Sequence, residues 1–197
     1  LAEAGALTDR TSLVHATHLT DGDIAKIGAA AAYACFCPTT ERDLGDGIGP
    51  SRELDAAGAR LTLGSDSHAI VDPFEEMRAV ELNQRLASQT RGHWSAAELF
   101  TAATSAGHLS LGFDDAGAIA VGQLADLVVL DDRSPTTAGT SSEPAGALET
   151  VVFAATAADV RRVMASGRWV FGAEAGWVEE RAQIGLALAD TISEVHQ

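Results

Sequence analysis

The 197-residue chain has little positive charge: 13 Lys and Arg stand against 28 Asp and Glu, a net −15. Lys26 is its one lysine. A chain this acidic, with no cluster of basic residues, is excluded from binding nucleic acid through its phosphates. It also repels anions at long range, so an acidic small molecule would need local cationic groups to hold it. No apolar run reaches the 18 residues of a membrane helix, so no membrane association is expected. Nor does the start show a charged stretch followed by an apolar one, as a secretory signal would. The chain opens on Leu1, not Met, and runs straight into an Ala-rich segment; a piece of a longer protein is expected. Cysteine is confined to Cys35 and Cys37. On a strand their spacing points both to one face with poor geometry for a bridge, so buried thiols and a cytoplasmic protein are expected.

What is present is a βα alternation. Ser12–His15, Tyr33–Cys37 and Arg60–Gly64 are short runs, apolar enough for strands buried on both faces. Between them a helix starts at a Thr20 or Asp21 cap and passes through Ile24 and Ile27. A second, Ser51–Ala57, stops at Gly58. Pro38 ends the middle run, and Thr39 to Pro50 reads as a loop rich in Gly and Asp. The alternation predicts βα units on a parallel sheet. Two helices follow, Pro73–Ala87 and one capped by Ser95. From Gly117 the pattern changes. Ala118–Ala120, Leu127–Leu130, Val151–Ala154 and Trp169–Phe171 read as strands, and Asp159–Met164 as a turn or strand. Asp131–Gly146 reads as a mobile linker, and Val178–Val195 as a closing amphipathic helix.

Three constellations could carry chemistry, each just after an expected strand. His15, in Val14-His15-Ala16-Thr17-His18, falls at a strand end, where a histidine serves either as core or cap or as a group at a site mouth. Pro38–Ile48 reads as a polar turn or as a loop lining a pocket. Asp66, in Gly64-Ser65-Asp66-Ser67-His68, follows a buried strand. A carboxylate there needs a metal, a cation or a helix N-terminus.

Together these elements resemble the amidohydrolase superfamily. Its barrel has a His after strand six, a Pro-Thr/Ser loop after strand seven and Gly-Ser/Thr-Asp after strand eight. His15, Pro38–Gly47 and Gly64-Ser65-Asp66 stand in that order. Gly117-Ala118-Ile119-Ala120-Val121-Gly122-Gln123-Leu124-Ala125-Asp126-Leu127 is similar to the superfamily's β-sandwich signature, and Val160–Phe171 to its closing hairpin. The resemblance implies an α/β chain: about strands six to eight of a (β/α)8 metal-dependent hydrolase barrel over residues 1–112, part of a small β-sandwich over 113–175, and a terminal helix over 176–197. Within the superfamily, Val-His-Ala-Thr-His, Leu-Gly-Asp-Gly-Ile and Gly-Ser-Asp-Ser-His resemble the formimidoylglutamate deiminases, as do Glu76, Arg78, Glu81, Gln84 and Arg85 on the helix beyond Asp66. Thr40-Glu41 departs from the Ser-Asn of guanine and adenosine-type deaminases.

The resemblance implies hydrolysis of N-formimidoyl-L-glutamate to N-formyl-L-glutamate and ammonia in histidine degradation, with one divalent metal, zinc. Asp66 would be the ligand and proton acceptor. His15 would contact the attacking oxygen and stabilise charge in the tetrahedral intermediate, and Arg42 and His68 would be weaker candidates for binding substrate. The family's His-x-His after strand one, its His after strand five and the nearby Glu do not occur here, so the chain alone is expected to be inactive and to fold poorly. His93, His108 and His196 read as surface or helix residues. A homodimer is expected by the same resemblance. The alternatives are a heteroaromatic aminohydrolase of the guanine or S-adenosylhomocysteine/methylthioadenosine type, and a non-catalytic remnant of the fold.

Overall fold

A computed structural model describes residues 1–140, 143–172 and 177–195. Three short parallel strands form the first sheet in the order β1 (Ser12–Val14), β2 (Tyr33–Phe36), β3 (Arg60–Leu63). Leu13 aligns with Ala34, and Ala34 with Leu61. Parallel neighbours need a crossover, and the sequence supplies one each time. Helix α1 (Asp21–Ala29) starts at Thr20, whose side chain accepts from Asp23 N–H while Asp23 reaches back to the Thr20 N–H. Helices α2 (Pro38–Leu44) and α3 (Ser51–Ala57) return the chain to β3, and α3 closes at left-handed Gly58.

Helix α1 packs on α3 at a distance that only glycine permits. A Cβ on Gly28 would lie 2.2 Å from the Ala57 carbonyl oxygen. Neither helix backbone can give way locally, so Gly28→Ala must pry the pair apart. A loss of about 1–3 kcal/mol is expected, read as a lower midpoint in urea unfolding of the full-length protein.

The parallel arrangement is as expected; the stretch after β2 is a helix up to Leu44 and a loop only from there to Pro50. Pro38 occupies the first turn of α2, where its missing N–H costs nothing, and Gly45 closes the helix in the left-handed conformation. Beyond β3 come α4 (Pro73–Ser88), α5 (Ala96–Ala103) and α6 (Ser105–Ser110). Asp72 caps α4 through the N–H groups of Phe74 and Glu75, and Ser95 caps α5 in a capping box with Glu98. Phe74, Met77, Val80, Leu99 and Ala102 join Ala34, Phe36, Leu54 and Leu61 in one core.

The second sheet is antiparallel: β4 (Leu127–Leu130), β5 (Val160–Ala165), β6 (Arg168–Phe171). Ser166 and Gly167, both at positive φ, form the two-residue turn between β5 and β6, the twist a tight hairpin requires. Two expected strands are corrected. Val151–Ala154 is the last turn and C-cap of α7 (Pro144–Phe153): Pro144 fixes its first turn, and Leu148, Val151 and Val152 recur at helical spacing into the main core, with Ala155 buried just beyond the helix end. By packing against α4 and α5, this helix joins the layer beside the parallel sheet, although by sequence it falls within 113–175. Ala118–Ala120 forms no strand. Ile119 is 91% exposed, and the segment has no strand partner among the described residues. The expected linker is turned and tied where it is described: Thr137 is buried and donates to the Asp131 carbonyl, and Thr136 donates to Asp159. The terminal helix α8 spans Trp177–Val195. No helix of the described residues is long and apolar enough to cross a membrane.

Candidate active site

The site is built where the parallel strands end. After Val14 the chain turns through His15 at φ 67° and Ala16 at φ 48°; after Leu63 and the Gly64-Ser65 step it turns through Asp66 at φ 46°. Non-glycine residues rarely adopt this left-handed region, and they hold it only where the surroundings fix it. For His15 they do: its N–H donates to the Cys35 carbonyl at 2.8 Å, extending the β1–β2 ladder by one bond, and Ala16 N–H donates to the Val14 carbonyl at 2.9 Å. These turns bring the two side chains together. His15 Nε2 lies 3.5 Å from Asp66 Oδ2.

The other imidazole nitrogen meets a residue that the sequence reading placed in a loop. Glu41 Oε1 lies 3.3 Å from His15 Nδ1 and accepts from Cys37 N–H at 2.8 Å. The Glu41 side chain is 3% exposed. Burial pushes its carboxyl above the usual range, and the hydrogen bonds from Cys37 N–H and His15 pull it back. Pro38 was the available signal: taken as the first residue of a helix, it puts Glu41 one turn further on, in reach of the Cys37 N–H.

Cys37 is buried and Cys35 half-buried, both are free, and both sulfurs lie against Gly64, whose Cβ would sit 3.1 Å from Cys37 Sγ and 3.5 Å from Cys35 Sγ. The hydrogen bond between the two thiols lowers Cys35 to about 7 and pushes Cys37 up. The neighbouring Thr40 hydroxyl donates to the Ser65 carbonyl at 2.8 Å, tying α2 to the Asp66 turn.

On the other side of α2 lies an open cavity of about 620 Å³, whose lining includes Thr39, Arg42, His68, Glu75 and Arg78 but neither His15 nor Asp66. Arg42 and His68 are thus brought together. The Arg42 side chain is 55% exposed and donates to Glu75 Oε1 at 3.0 Å. His68 engages the backbone of Ile70 through Nδ1. Arg78, absent from the expected substrate contacts, is held on three sides. Its terminal nitrogens donate to the carbonyls of Phe153 and Ala155. Its Nε lies 3.2 Å from Glu75 Oε2, an ion-pair distance at an angle too skewed for a hydrogen bond. Below the floor, buried Glu76 accepts from the Thr39 hydroxyl and N–H; burial raises its carboxyl, and those bonds oppose the rise.

The remaining histidines stay outside the site. His18 is exposed, His93 bonds to Ser88 and Thr90, and His108 bonds to the Thr104 carbonyl just ahead of α6. His196 lies outside the described residues. The donor set fits one share of a divalent-metal site. Asp66 offers a hard carboxylate oxygen, 39% exposed and with no Lys or Arg in ion-pair reach among the described residues. No group of three His, Cys, Asp or Glu able to hold an ion occurs among the described residues.

Residues 1–170 match the model described as "Amidohydrolase family". Over 191 residues the chain is 40% identical to a formimidoylglutamate deiminase of Pseudomonas aeruginosa, covering 92% of this chain and 41% of that protein. It is 32% identical to a 5-methylthioadenosine/S-adenosylhomocysteine deaminase of Pelotomaculum thermopropionicum, over 86% and 39% of the two chains. An adenosine deaminase structure from Xanthomonas campestris with bound zinc superimposes with a TM-score of 0.78 at 28% identity, over 87% of this chain and 39% of that one. The chain therefore spans about two fifths of the length of these relatives.

Proposed function

Because the chain belongs to the amidohydrolase family, we propose that it supplies the strand-six to strand-eight share of a metal-dependent deiminase, with part of the adjoining β-sandwich, acting on N-formimidoyl-L-glutamate. The observation that carries the reading is the convergence of His15 and Asp66 at adjacent strand ends, 3.5 Å apart, held by left-handed turns. The choice of substrate is supported by the 40% identical relative and by the Glu at position 41.

In this reading water adds to the formimidoyl carbon, the carbon–nitrogen double bond becomes single, and ammonia leaves as the carbonyl of N-formyl-L-glutamate forms. Asp66 would hold in part a divalent metal, zinc, which when bound would supply the Lewis acidity for water to become nucleophilic near neutral pH. Asp66 accepts the proton from the attacking water. His15 faces the same point through Nε2 and stabilises the charge that develops on the oxygen of the tetrahedral carbon. The ligands and the acid that this chain lacks would come from the rest of the protein.

Arg42 and His68 would offer cationic or donor groups to a substrate carboxylate, which the −15 chain otherwise repels. The full-length protein, purified with zinc, should release ammonia from N-formimidoyl-L-glutamate. Arg42→Ala should raise KM about tenfold, the value of one charge-assisted contact, with a smaller change in kcat. A zinc-loaded, folded wild type that releases none defeats the assignment. It would direct attention to the adenosine-type substrates.

A further inference from the structure

We propose that Glu41 is the positioning residue for His15: its Oε1 holds the Nδ1–H and thereby aims Nε2 at the reacting atoms beside Asp66. The proposal rests on the reading of His15 as a group that meets substrate. Three observations carry it.

The first is that the imidazole is bracketed. Nδ1 lies 3.3 Å from Glu41 Oε1 and Nε2 lies 3.5 Å from Asp66 Oδ2, so each ring nitrogen faces one carboxylate. A carboxylate oxygen only accepts when ionised, so a donor must sit on the Nδ1 side, and the bond made there decides what the other nitrogen presents. The second is that Glu41 is fixed before it meets the ring. It is 2% exposed, and its Oε1 already receives the Cys37 N–H at 2.8 Å. A second-layer carboxylate held this way locks the rotamer of the group it touches. The third is that backbone hydrogen bonds hold the His15 turn, at φ 67°, so the ring leaves a fixed Cα, and the polar contacts that aim it are the two carboxylates, of which Glu41 is the buried one.

A purely structural role is the competing explanation, since the same oxygen also caps the start of α2. The two separate because Gln preserves a carbonyl oxygen that can accept both bonds, while Ala preserves neither. In the zinc-loaded full-length protein, Glu41→Ala should lower kcat about a hundredfold with KM changed less than threefold, and Glu41→Gln should recover at least tenfold of that loss. Independently of substrate, nitrogen NMR of labelled histidine reports which ring nitrogen carries a proton; the His15 signal is assigned by its loss in His15→Asn. Nδ1 should be protonated in the wild type and in Glu41→Gln, and lose that preference in Glu41→Ala. Unchanged His15 nitrogens in Glu41→Ala, or equal loss of kcat in the Gln and Ala variants, would overturn the proposal. The NMR arm stands even if N-formimidoyl-L-glutamate proves not to be the substrate, so the two failures are distinguishable.

Discussion

Asp66→Asn in the full-length protein is expected to lower kcat for ammonia release at least about a thousandfold, roughly 4 kcal/mol of transition-state stabilisation. The substitution is a clean probe because of the backbone. Asp66 sits at φ 46°, and Asn is among the few residues that tolerate that region, so the turn is kept. The carboxylate approaches only the His15 imidazole among the ion pairs of the described residues, so little folding energy is removed with it. What is removed is the anionic oxygen: an amide oxygen is a weaker ligand for a hard cation and cannot accept the proton of the attacking water. Zinc content should therefore fall along with kcat, while the circular dichroism spectrum stays that of the wild type. Ammonia release at the wild-type rate would remove Asp66 from the mechanism.

The sequence disclosed the two strand-end residues because strand ends are marked locally, by short apolar runs stopping at Val-His and Gly-Ser-Asp. It did not disclose Glu41, and the reason is physical. Pro38 both ends a strand and begins a helix, and a Gly- and Asp-rich stretch behind it favoured the loop. The same ambiguity misplaced Val151–Ala154. Four apolar residues fit a buried strand or one helical turn equally well, and only packing on α4 and α5 decides between them. Ala118–Ala120 shows the converse: a strand-like pattern forms no strand where no strand among the described residues pairs with it. Gly58, by contrast, was legible as a helix stop, since only its lack of a Cβ suits φ 106°. Partnerships across the sheet, such as His15 with Glu41 at a separation of 26 residues, have no local signature at all.

The largest effect on stability is expected at Glu81, a residue that touches no substrate in this reading. Its side chain is fully buried and gathers three donors. Arg85 Nε lies at 2.7 Å, and the N–H groups of Gly92 and Trp94 lie at 2.9 and 2.6 Å. It thus pins the loop after α4 and orients Trp94, whose indole N–H donates to Ser51 at 3.0 Å at the start of α3, with the Arg52 guanidinium over its ring. Gln84, one turn away, donates to the Gly49 carbonyl at 2.9 Å. The connection from α2 to α3, and through it the helix that carries Glu41, is therefore held from α4. Glu81→Leu strands the buried N–H of Trp94, the part-buried N–H of Gly92 and an arginine, which should cost about 3–5 kcal/mol, measured by urea unfolding of the full-length protein. Glu81→Gln keeps an acceptor and should lose less. Burial pushes the Glu81 carboxyl up, but the bonds from Arg85, Trp94 and Gly92 outweigh it and hold the group below the ordinary glutamate value of 4.5. A carboxyl lowered on folding stabilises the protein above its unfolded value, and that stability drains away as pH falls from about 4.5 toward the lower folded value. The wild type should therefore lose more stability across that acid window than Glu81→Gln, which has no proton to take up. Parallel pH profiles for the two proteins would show that Glu81 is not the anchor described.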